Sequence, residues 1–368
     1  MKPPLVLTLG LWLLLAAAAC GGGPARAAST PPAARPTPSP AAPAPPADPS
    51  PTSPAQTATA SRPLAIVSSP NGMVAAVSPD GVFAWSFDPG HLGITKPALV
   101  TNGPNLLAYG GGSVAVIDRS GTVIGRGTAA ADQPIFPAPT GLSWAWTTVD
   151  STTEPPAPQT SSLWVAGVGQ RPSRVRTRTG GYTVSASQWS DAGIVVVRLG
   201  PSCGAYPQSS SLVDPATGGE ASLFGDGRWP LDVHAGIRVA KDADEPTVYV
   251  TGRARITRSY QLPVVGAGID PSGTRLFVST FGETGCGGRI ATATSVVDVA
   301  SNSQTMIDRF LAEAWLDDQH LLGRTVAAGP AGQAVWGPDV LVADLSGHES
   351  SLAVGTLVGV LRPQGSAS

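Results

Sequence analysis

The sequence predicts an all-β fold, because short apolar runs alternate with clusters of turn residues from residue 64 to the C-terminus. The runs are rich in β-branched and aromatic residues and the turns in Gly, Asp, Asn and Pro, which is the pattern of strands joined by hairpins. Long stretches of helical periodicity are missing, and only the segment from Met306 to Leu316 is a candidate for a helical turn. The hairpins also recur at regular intervals, and their spacing predicts how the strands are arranged.

One hairpin unit recurs along the domain: a strand that ends near an aspartate, a turn and a second strand. Its four clearest copies contain Asp118, Asp214, Asp298 and Asp344, which are separated by 96, 84 and 46 residues. Looser copies lie inside the two longer gaps, and a shorter copy opens the domain. The seven hairpins begin at Val82, Ser113, Leu163, Ser211, Val248, Ser295 and Val340. Since residues 64–368 number 305, one hairpin occurs about every 44 residues.

A repeat of about 40 to 50 residues with four strands is typical of a β-propeller blade. One blade cannot bury both of its faces, so neighbouring blades stack and the ring closes. We therefore predict a β-propeller of seven blades over residues 64–368, with six or eight blades as alternatives because the first hairpin is short. A pair of β-sandwiches would also alternate hairpins, but the even spacing favours the propeller.

A second unit, a turn between two strands, precedes the hairpins. Its copies are Ser78–Gly81, Trp189–Gly193, Asp270–Gly273 and Trp315–Asp318. Turns of the Asp-Gly type supply the positive φ that a tight hairpin needs. The Ser-Pro-Asp-Gly and Asp-Pro-Ser-Gly turns, each followed by an apolar strand, resemble those of the WD-repeat-like propellers of bacteria, including the periplasmic Tol-type ones. This resemblance extends over most of residues 64–368 and implies the same propeller fold.

The first 19 residues have the pattern of a secretory signal peptide. Lys2 supplies a positive start, and the run from Leu5 to Ala19 is apolar and uncharged. This run is shorter than the ~20 residues that a helix needs to span a bilayer, whereas a short apolar core followed by small residues is typical of an export signal. No later run of 18 apolar residues occurs, so the sequence predicts no second span.

Small residues stand directly before the first cysteine, in the order Ala17-Ala18-Ala19-Cys20. This segment resembles the lipobox of bacterial lipoproteins, although leucine is commoner at the position of Ala17. The resemblance implies that the Cys20 thiol carries fatty acyl chains, palmitate among them, and that the mature chain begins there. Cys20 would then anchor the protein in the lipid of a cell membrane, on its extracytoplasmic side, periplasmic or cell-surface. An ordinary signal peptide, cut near Ala19 or Ala28, is the alternative.

Residues 20–63 are predicted to be a disordered tether that begins at the lipidated cysteine. Thirteen of the 37 prolines lie in residues 21–63, and most of the other residues there are Ala, Ser and Thr. Such a segment lacks apolar side chains to bury and should not fold. Proline favours extended conformations, which give this segment an upper reach of ~130 Å at ~3.1 Å per residue. We expect it to lift the domain away from the lipid surface.

Charge and cysteine content limit the partners and the compartment. A formal net charge of −2 creates no overall field that attracts nucleic acid, so no nucleic-acid partner is predicted. Cys203 and Cys286 lie 11 and 12 residues before Asp214 and Asp298, which places them in the same loop of two units, two blades apart. In an exported chain a leftover pair of cysteines indicates a disulfide. We predict one between them, with free thiols or contacts with separate partners as alternatives.

Motifs for catalysis, metals and cofactors are missing from the sequence. None of the four histidines has a second histidine at metal-ligand spacing. A nucleophile elbow, a Walker loop and a dinucleotide fingerprint are also missing. The acidic turn from Asp242 to Glu245 has the oxygen ligands that calcium prefers, but a solvated turn is the simpler interpretation. We therefore predict no catalytic residue, no metal and no cofactor.

Two groups of side chains are candidates for ligand binding. Trp144 and Trp146 share one strand face and could form a stacking platform for a sugar, the alternative being that they pack between blades. Arg174 and Arg176 belong to a series of alternating arginines that should lie on one strand face. These arginines are candidates for binding an anionic glycan or phosphate polymer. An exposed sheet edge guarded by charge is the alternative.

Two classes of function fit these observations. The first is a binding or scaffold module for an envelope or extracellular protein or glycan, because the loops of a rigid propeller carry recognition. The second is an envelope hydrolase or lyase whose acids and arginines converge at the central channel. Grouped carboxylates with Arg or His at the channel would favour the enzyme. A plain channel together with an aromatic loop face would favour the binding module. The missing catalytic motifs favour the binding module.

Overall fold

The computed structural model describes residues 62–150, 159–180, 183–200, 206–284, 289–329 and 334–363. These residues form 29 β-strands and a short 3₁₀ helix, Pro89–Leu92. The strands make seven separate antiparallel sheets. Among the described residues, no helix is long and apolar enough to cross a membrane. The predicted all-β fold class is confirmed.

Each sheet contains four strands that follow one another as a meander, and the last sheet has a fifth, short strand beside them. We call the sheets blades 1 to 7 in chain order. The strands of each blade are given from the first to the fourth. Blade 1 comprises β29 (Thr356–Leu361), β1 (Leu64–Ser68), β2 (Val74–Val77) and β3 (Phe83–Phe87), and blade 2 comprises β4 (Ala98–Asn102), β5 (Asn105–Gly110), β6 (Ser113–Ile117) and β7 (Val123–Thr128). Blade 3 comprises β8 (Phe136–Pro137), β9 (Ser143–Asp150), β10 (Gln159–Gly167) and β11 (Ser173–Gly180).

The other four blades have the same order of strands. Blade 4 comprises β12 (Thr183–Ser190), β13 (Gly193–Leu199), β14 (Pro207–Val213) and β15 (Glu220–Phe224). Blade 5 comprises β16 (Arg228–His234), β17 (Ile237–Asp242), β18 (Thr247–Gly252) and β19 (Ile256–Ser259). Blade 6 comprises β20 (Val264–Ile269), β21 (Arg275–Thr284), β22 (Arg289–Asp298) and β23 (Gln304–Asp308). Blade 7 comprises β24 (Phe310–Trp315), β25 (His320–Ala328), β27 (Asp339–Asp344) and β28 (Glu349–Val354), and the short strand β26 (Ala334–Trp336) pairs with β25.

The C-terminal strand closes the ring. β29 pairs with β1 inside blade 1, where Leu64 lies opposite Leu361 and Ser68 opposite Thr356. The first strand of each blade contacts the first strand of the next, and β29 contacts both β4 and β24. These seven strands therefore surround the propeller axis, and we call them the inner strands. The predicted seven-bladed propeller is confirmed.

The two ends of the strands form two different faces. On the turn face, short turns join the first strand of a blade to the second and the third to the fourth, as residues 191–192 do in blade 4. On the opposite face, the loop face, the second strand connects to the third and each blade to the next. β1 begins and β29 ends on the turn face, at the paired residues Leu64 and Leu361. The chain therefore enters and leaves the propeller on the turn face.

Apolar side chains pack between adjacent blades, because each strand presents alternate residues to the two neighbouring blades. Trp315 of β24 is 2% exposed, and its ring centroid lies 6.2 Å from that of Phe277 in blade 6. Trp144 packs in the same way between blades 2 and 3, in one cluster with Leu107 and Val116. Full burial of an apolar side chain contributes about 1.5–3 kcal/mol, so these interfaces hold the ring together.

Six of the seven predicted hairpins form the third and fourth strands of a blade, in blades 2 to 7. The first is displaced: the turn Ser78–Gly81, predicted to precede a hairpin, itself joins the third and fourth strands of blade 1. The reason is that β29 supplies the first strand of blade 1, so the chain starts that blade at its second strand. The other three predicted turns join first and second strands.

The segment from Met306 to Leu316, a candidate for a helical turn, consists of strand instead. It contains the end of β23 and all of β24. Ile307, Phe310 and Ala312 are buried between blades, and a turn at Arg309, with φ 61°, separates the two strands. Pairing with β22 and β25 decides the conformation here, because it offers these apolar side chains a buried position that a helix would not.

Candidate functional site

Two polar side chains meet on the inner strands of blades 4 and 5. Gln188 and Asp232 each follow a β-bulge, where the strand register skips Ser187 and Leu231. A bulge re-aims the neighbouring side chains. Gln188 Nε2 donates to Asp232 Oδ1 over 2.9 Å, and Gln188 Oε1 accepts from the backbone N–H of Val233 over 3.1 Å. Gln188 thus joins the two strands through both halves of its amide.

Asp232 extends this link to blade 6. Its Oδ2 accepts a 2.7 Å hydrogen bond from the backbone N–H of Ile269 at the end of β20. Asp232 is half-buried as a residue, and protein closely surrounds its carboxylate. Burial raises the pKa of Asp232, and the hydrogen bonds from Ile269 and Gln188 oppose that rise.

Arg362 directly follows β29 and connects blade 1 to both of its neighbours. Its backbone N–H donates to the carbonyl oxygen of Gly103 in blade 2 over 2.8 Å. Its guanidinium donates to the carbonyl oxygens of Trp315 and Leu316 in blade 7, over 3.0 and 3.4 Å. The Trp315 indole N–H in turn donates to Gly268 O of blade 6 over 2.8 Å. Blades 6, 7, 1 and 2 are therefore linked in sequence.

Asn102, at the end of β4, completes the circle. Its Nδ2 donates to the carbonyl oxygens of Pro137 in blade 3 and Trp189 in blade 4, over 2.7 and 2.9 Å. All of these contacts lie at the turn-face ends of the inner strands. Five residues therefore connect all seven blades through an unbroken circle of hydrogen bonds, which we call the axial belt: Asn102, Gln188, Asp232, Trp315 and Arg362. The link from blade 1 to blade 2 is made by the backbone N–H of Arg362, and the other links are made by side chains.

The acidic groups near Arg362 also bind backbone N–H groups. Burial lowers the pKa of Arg362, and four carboxylates oppose this effect: Asp232, Asp318, Asp317 and Asp270. Asp270 is fully buried and accepts hydrogen bonds from the N–H groups of Thr274 and Arg275 over 2.7 and 2.9 Å. Asp317 accepts from two N–H groups of its own turn. These carboxylates hold turns in place, which is a structural role.

Trp144 and Trp146 share one face of β9, as predicted, but that face is buried. Trp144 is 0% and Trp146 3% exposed. The Trp144 indole N–H donates to Thr128 O over 3.1 Å, and Trp146 stacks on Trp164 with ring centroids 6.3 Å apart. A ring that is enclosed on both sides offers no surface to a sugar. The two tryptophans therefore pack between blades 2 and 3 and do not form an exposed platform.

Arg174 and Arg176 lie on opposite faces of β11 and not on the single face that the sequence predicted. The register skips Val175, and this β-bulge interrupts the alternation of side chains. Arg174 lies 5.8 Å from the ring centroid of Trp164, whereas Arg176 contacts Glu220 of blade 4. β11 is the outermost strand of blade 3, so the predicted charged edge is present. The two arginines do not form one combined site, because they lie on opposite faces of this strand.

Arg176 belongs to a group of three arginines around one carboxylate, which we call the arginine cluster. Glu220 on β15 contacts Arg176 over 3.0 Å, Arg198 over 3.4 Å and also Arg178, and it accepts from Ser211 Oγ over 2.6 Å. Burial opposes ionisation of Glu220, but the Ser211 hydroxyl and the arginines outweigh it and lower its pKa. The sequence did not indicate Arg198 or Glu220, because their approach depends on how blades 3 and 4 pack.

The aspartates that mark the repeat cap turns. Asp118, Asp214, Asp298 and Asp344 each accept hydrogen bonds from N–H groups of the turn between the third and fourth strands. Asp344 Oδ1 accepts from Ser346 N and His348 N over 2.8 and 3.0 Å, and from Ser346 Oγ over 2.6 Å. The hydrogen bonds from the Ser346 hydroxyl and from His348 lower the pKa of Asp344 to about 2. The repeat signal therefore reports turn geometry.

A surface cavity of about 250 Å³ lies on the turn face between blades 7 and 1. Pro79, His320 and His348 are among its lining residues. His320 Nδ1 lies 2.9 Å from Asp317 Oδ1, and His348 Nδ1 lies 2.6 Å from Ser346 Oγ. In the part of the chain that the structure describes, no three His, Cys, Asp or Glu side chains come close enough to hold a metal ion. The cavity is a polar recess whose histidines are oriented by their neighbours.

The loop face presents an exposed aromatic side chain, Trp336 of β26. Trp336 is 40% exposed, and the adjacent Val335 is 46% exposed. The Trp336 ring centroid lies 5.5 Å from that of Phe281 in blade 6, and the Arg324 guanidinium lies 5.8 Å from it. Arg324 is in turn held by a two-point ion pair with Glu313. An amphipathic ring held in this way can contact a protein or a sugar.

The cysteines of the sequence predictions lie outside the described residues, as do the signal segment and the tether. Cys203 falls between β13 and β14, and Cys286 between β21 and β22. Both connections join the second strand of a blade to the third, so their flanking strand ends belong to the loop face, in blades 4 and 6. The disulfide and the lipid on Cys20 stay predictions.

Comparisons with known proteins identify the class by its fold. Neither a protein-family model nor a curated protein matches the sequence. Acylaminoacyl peptidase from Pyrococcus horikoshii matches with a TM-score of 0.54 at 12% identity, over 76% of this chain and 47% of the peptidase. This chain therefore spans about half the length of that enzyme. The similarity shows that the chain is a β-propeller, and its blade count is seven.

Other solved structures match at lower similarity. Apo AztD from Citrobacter koseri matches with a TM-score of 0.42 at 11% identity, over 82% of this chain and 96% of AztD. The WD40 domain of SCAP from fission yeast matches with a TM-score of 0.41 at 9% identity, over 78% of this chain and 86% of that domain. At such identities the likeness concerns the propeller fold alone.

Proposed function

We propose that this protein is a membrane-anchored, extracytoplasmic lipoprotein whose propeller binds a protein or glycan of the cell envelope. The observation that carries the proposal is the placement of the chain's entry relative to its long connections. The chain enters at Leu64 on the turn face, whereas β9 ends at Asp150 and β13 at Leu199 on the opposite, loop face. A tether from Cys20 would leave the loop face free, and loops on a rigid scaffold commonly carry recognition.

The contacts at the axis support a binding function over catalysis. Asp232 accepts from Ile269 and Gln188, and Arg362 donates to carbonyl oxygens of blade 7, so both charged groups serve the axial belt. One observation favours the alternative, an envelope hydrolase or lyase, because a carboxylate with a raised pKa near an arginine is typical of active sites. Turnover of an envelope glycan or peptide that Asp232→Asn abolishes would establish that alternative.

The anchor is tested by replacing the lipidated residue. Cys20→Ser should leave an uncut precursor that incorporates no labelled palmitate, since the thiol is the acceptor of the lipid. Cys203→Ser is the matched control and should be cut and labelled like the parent chain. Normal processing of the Cys20→Ser precursor would refute the lipoprotein assignment.

The binding face is tested with a soluble chain that begins at Ser53, the start of the compact unit that contains the propeller. Because β29 and β1 close the ring within this unit, it should fold without the anchor. The chain is immobilised and exposed to envelope extract, and retained proteins and glycans are compared between Trp336→Ala and Phe83→Ala. Phe83 is 64% exposed and lies at the turn-face end of β3. Loss of a retained partner with Trp336→Ala alone supports the proposal, and equal loss with both contradicts it.

A further inference from the structure

We propose that the arginine cluster, formed by Arg176, Arg178, Arg198 and Glu220, binds the phosphate or sulfate groups of an anionic glycan. This inference rests on the proposed binding function and names the class of partner. The cluster lies where the outermost strand of blade 3, β11, meets the outermost strand of blade 4, β15. A polymer that follows the rim of the propeller therefore passes directly over it.

The cluster carries an excess of positive charge that faces solvent. Three guanidinium groups surround one carboxylate, so the formal charge of the four side chains is positive. The Glu220 side chain is 14% exposed, whereas those of Arg176, Arg178 and Arg198 are 34%, 33% and 32% exposed. The negative charge is thus covered by the positive ones. An anion that approaches the rim meets guanidinium groups first.

The arginines keep hydrogen-bond donors for a ligand. Each guanidinium has five N–H donors in a planar fork that matches the oxygen atoms of phosphate and sulfate. Within the described structure, Glu220 and Gly218 O contact two nitrogens of Arg176 and one each of Arg178 and Arg198. Among the described residues, no protein acceptor is bonded to the remaining donors. They can therefore form the charge-assisted bonds that hold an oxyanion.

The cluster is also preorganised. A partly open cavity of about 10 Å³, which is room for about one water molecule, adjoins the guanidinium groups. Its floor is mainly apolar and is lined by Leu163, Val184, Val196 and Val213, together with Ser161. Glu220 holds the three charges close together above this floor, so a ligand does not need to order them. Fixed donors reduce the entropy lost on binding.

A purely structural role explains only part of this arrangement. One arginine on Glu220 would suffice to clasp blade 3 to blade 4, and Arg176 does so while also binding Gly218 O. The two further guanidinium groups leave the cluster with an excess of positive charge over the one carboxylate. A bound anion would neutralise part of this excess. The surplus of charge therefore indicates a ligand.

Binding is tested with fluorescent dextran sulfate and the purified soluble chain, at about 0.15 M salt, where exposed charges are partly screened. Arg178→Gln and Arg198→Gln should each weaken binding about fivefold, the effect of one partly exposed charge contact. Arg174→Gln is the matched control, because it removes the same charge from the same strand but from the opposite face, and it should change binding less than twofold. Uncharged dextran should not bind.

Two outcomes would overturn the inference. One is the absence of dextran sulfate binding, and the other is an equal loss with Arg174→Gln, which would show non-specific attraction. Misfolding is excluded by the melting temperature, since Glu220 keeps Ser211 and two arginines in Arg178→Gln and in Arg198→Gln, and all its partners in Arg174→Gln. An envelope partner that is retained by a chain to which dextran sulfate does not bind would leave the proposed function standing while refuting the anionic glycan.

Discussion

Gln188 Nε2 lies 2.9 Å from Asp232 Oδ1, and this contact joins two inner strands at equivalent positions, each directly after a β-bulge. In three other bulged inner strands the position after the bulge holds a small residue: Gly266, Ala314 or Gly359. Blades 4 and 5 are thus the pair that meets side chain to side chain at this level. Each of the two side chains satisfies a polar group of the other blade.

The first prediction concerns the coupling of this pair. Asp232→Ala and Gln188→Ala should each lower the free energy of unfolding by about 1–3 kcal/mol, because each leaves buried donors without an acceptor. The double variant should lose less than the sum, since both changes break the same contact. Urea unfolding at pH 7 measures all three, with Gln319→Ala, an exposed site, as the control. Additive losses would show that the two side chains act independently.

The second prediction concerns ring closure. A chain that ends before Gly355 lacks β29, which exposes the inner edge of β1 and uncovers Leu64 and Ile66. It should lose the cooperative unfolding transition and bind a hydrophobic dye. A chain that ends at Pro363 keeps β29 and is the control. Unchanged cooperative unfolding of the shorter chain would mean that the β1–β29 pairing does not close the ring.

The third prediction concerns acid stability at the Asp344 turn. Because hydrogen bonds lower the pKa of Asp344 to about 2, its charged form stabilises the fold above the ordinary pKa of 3.8, and this contribution disappears as the pH falls from about 4 to about 2. Asp344→Ala should therefore lower the melting temperature at pH 7, and the difference from the parent chain should shrink below pH 4. A difference that stays constant between pH 7 and pH 3 would contradict the prediction.

The fourth prediction separates buried from exposed tryptophans. Trp144→Ala should cost about 3–5 kcal/mol of unfolding free energy, because it opens a cavity between blades 2 and 3. Trp336→Ala should cost less than about 1 kcal/mol, since its ring is 40% exposed. Chemical denaturation compares the two variants. A stable Trp144→Ala chain that loses binding to a sugar would restore the platform interpretation.

The fifth prediction concerns Cys203 and Cys286. Cys203 and Cys286 should resist alkylation under denaturing conditions until a reductant is added, because a disulfide protects both thiols. Mass spectrometry of the soluble chain, with and without reductant, gives the number of labelled thiols. Two labels in the absence of reductant would disprove the disulfide.

The repeat could be predicted from the sequence because it depends on local turn chemistry. An aspartate such as Asp118 or Asp214 binds N–H groups within four residues of itself, so it recurs at the turn between the third and fourth strands of blades 2, 4, 6 and 7. The same reasoning gave a wrong position for the turn Ser78–Gly81, which was predicted to precede a hairpin but joins the third and fourth strands of blade 1. That position depends on β29, which comes from the other end of the chain.

The candidate sites show the same division. The sequence placed Trp144 and Trp146 on one face but could not tell that blade 2 covers it. It placed Arg174 and Arg176 on one face too, and the β-bulge at Val175 separated them. A bulge is a property of the pairing between two strands, so alternation within one strand does not reveal it.

The sequence by itself determined the all-β class, the sevenfold repeat and the turns that carry it, since these depend on residues a few positions apart. The tertiary structure alone decided which strand begins blade 1, which aromatic rings are buried and which arginines meet Glu220. The axial belt belongs to this second group, because its hydrogen bonds join residues that are far apart in the chain. Asn102 bonds to residues 35 and 87 positions away, and Gln188 bonds to Asp232, 44 positions away. Such contacts form only when blades have packed against each other and their inner strands stand side by side.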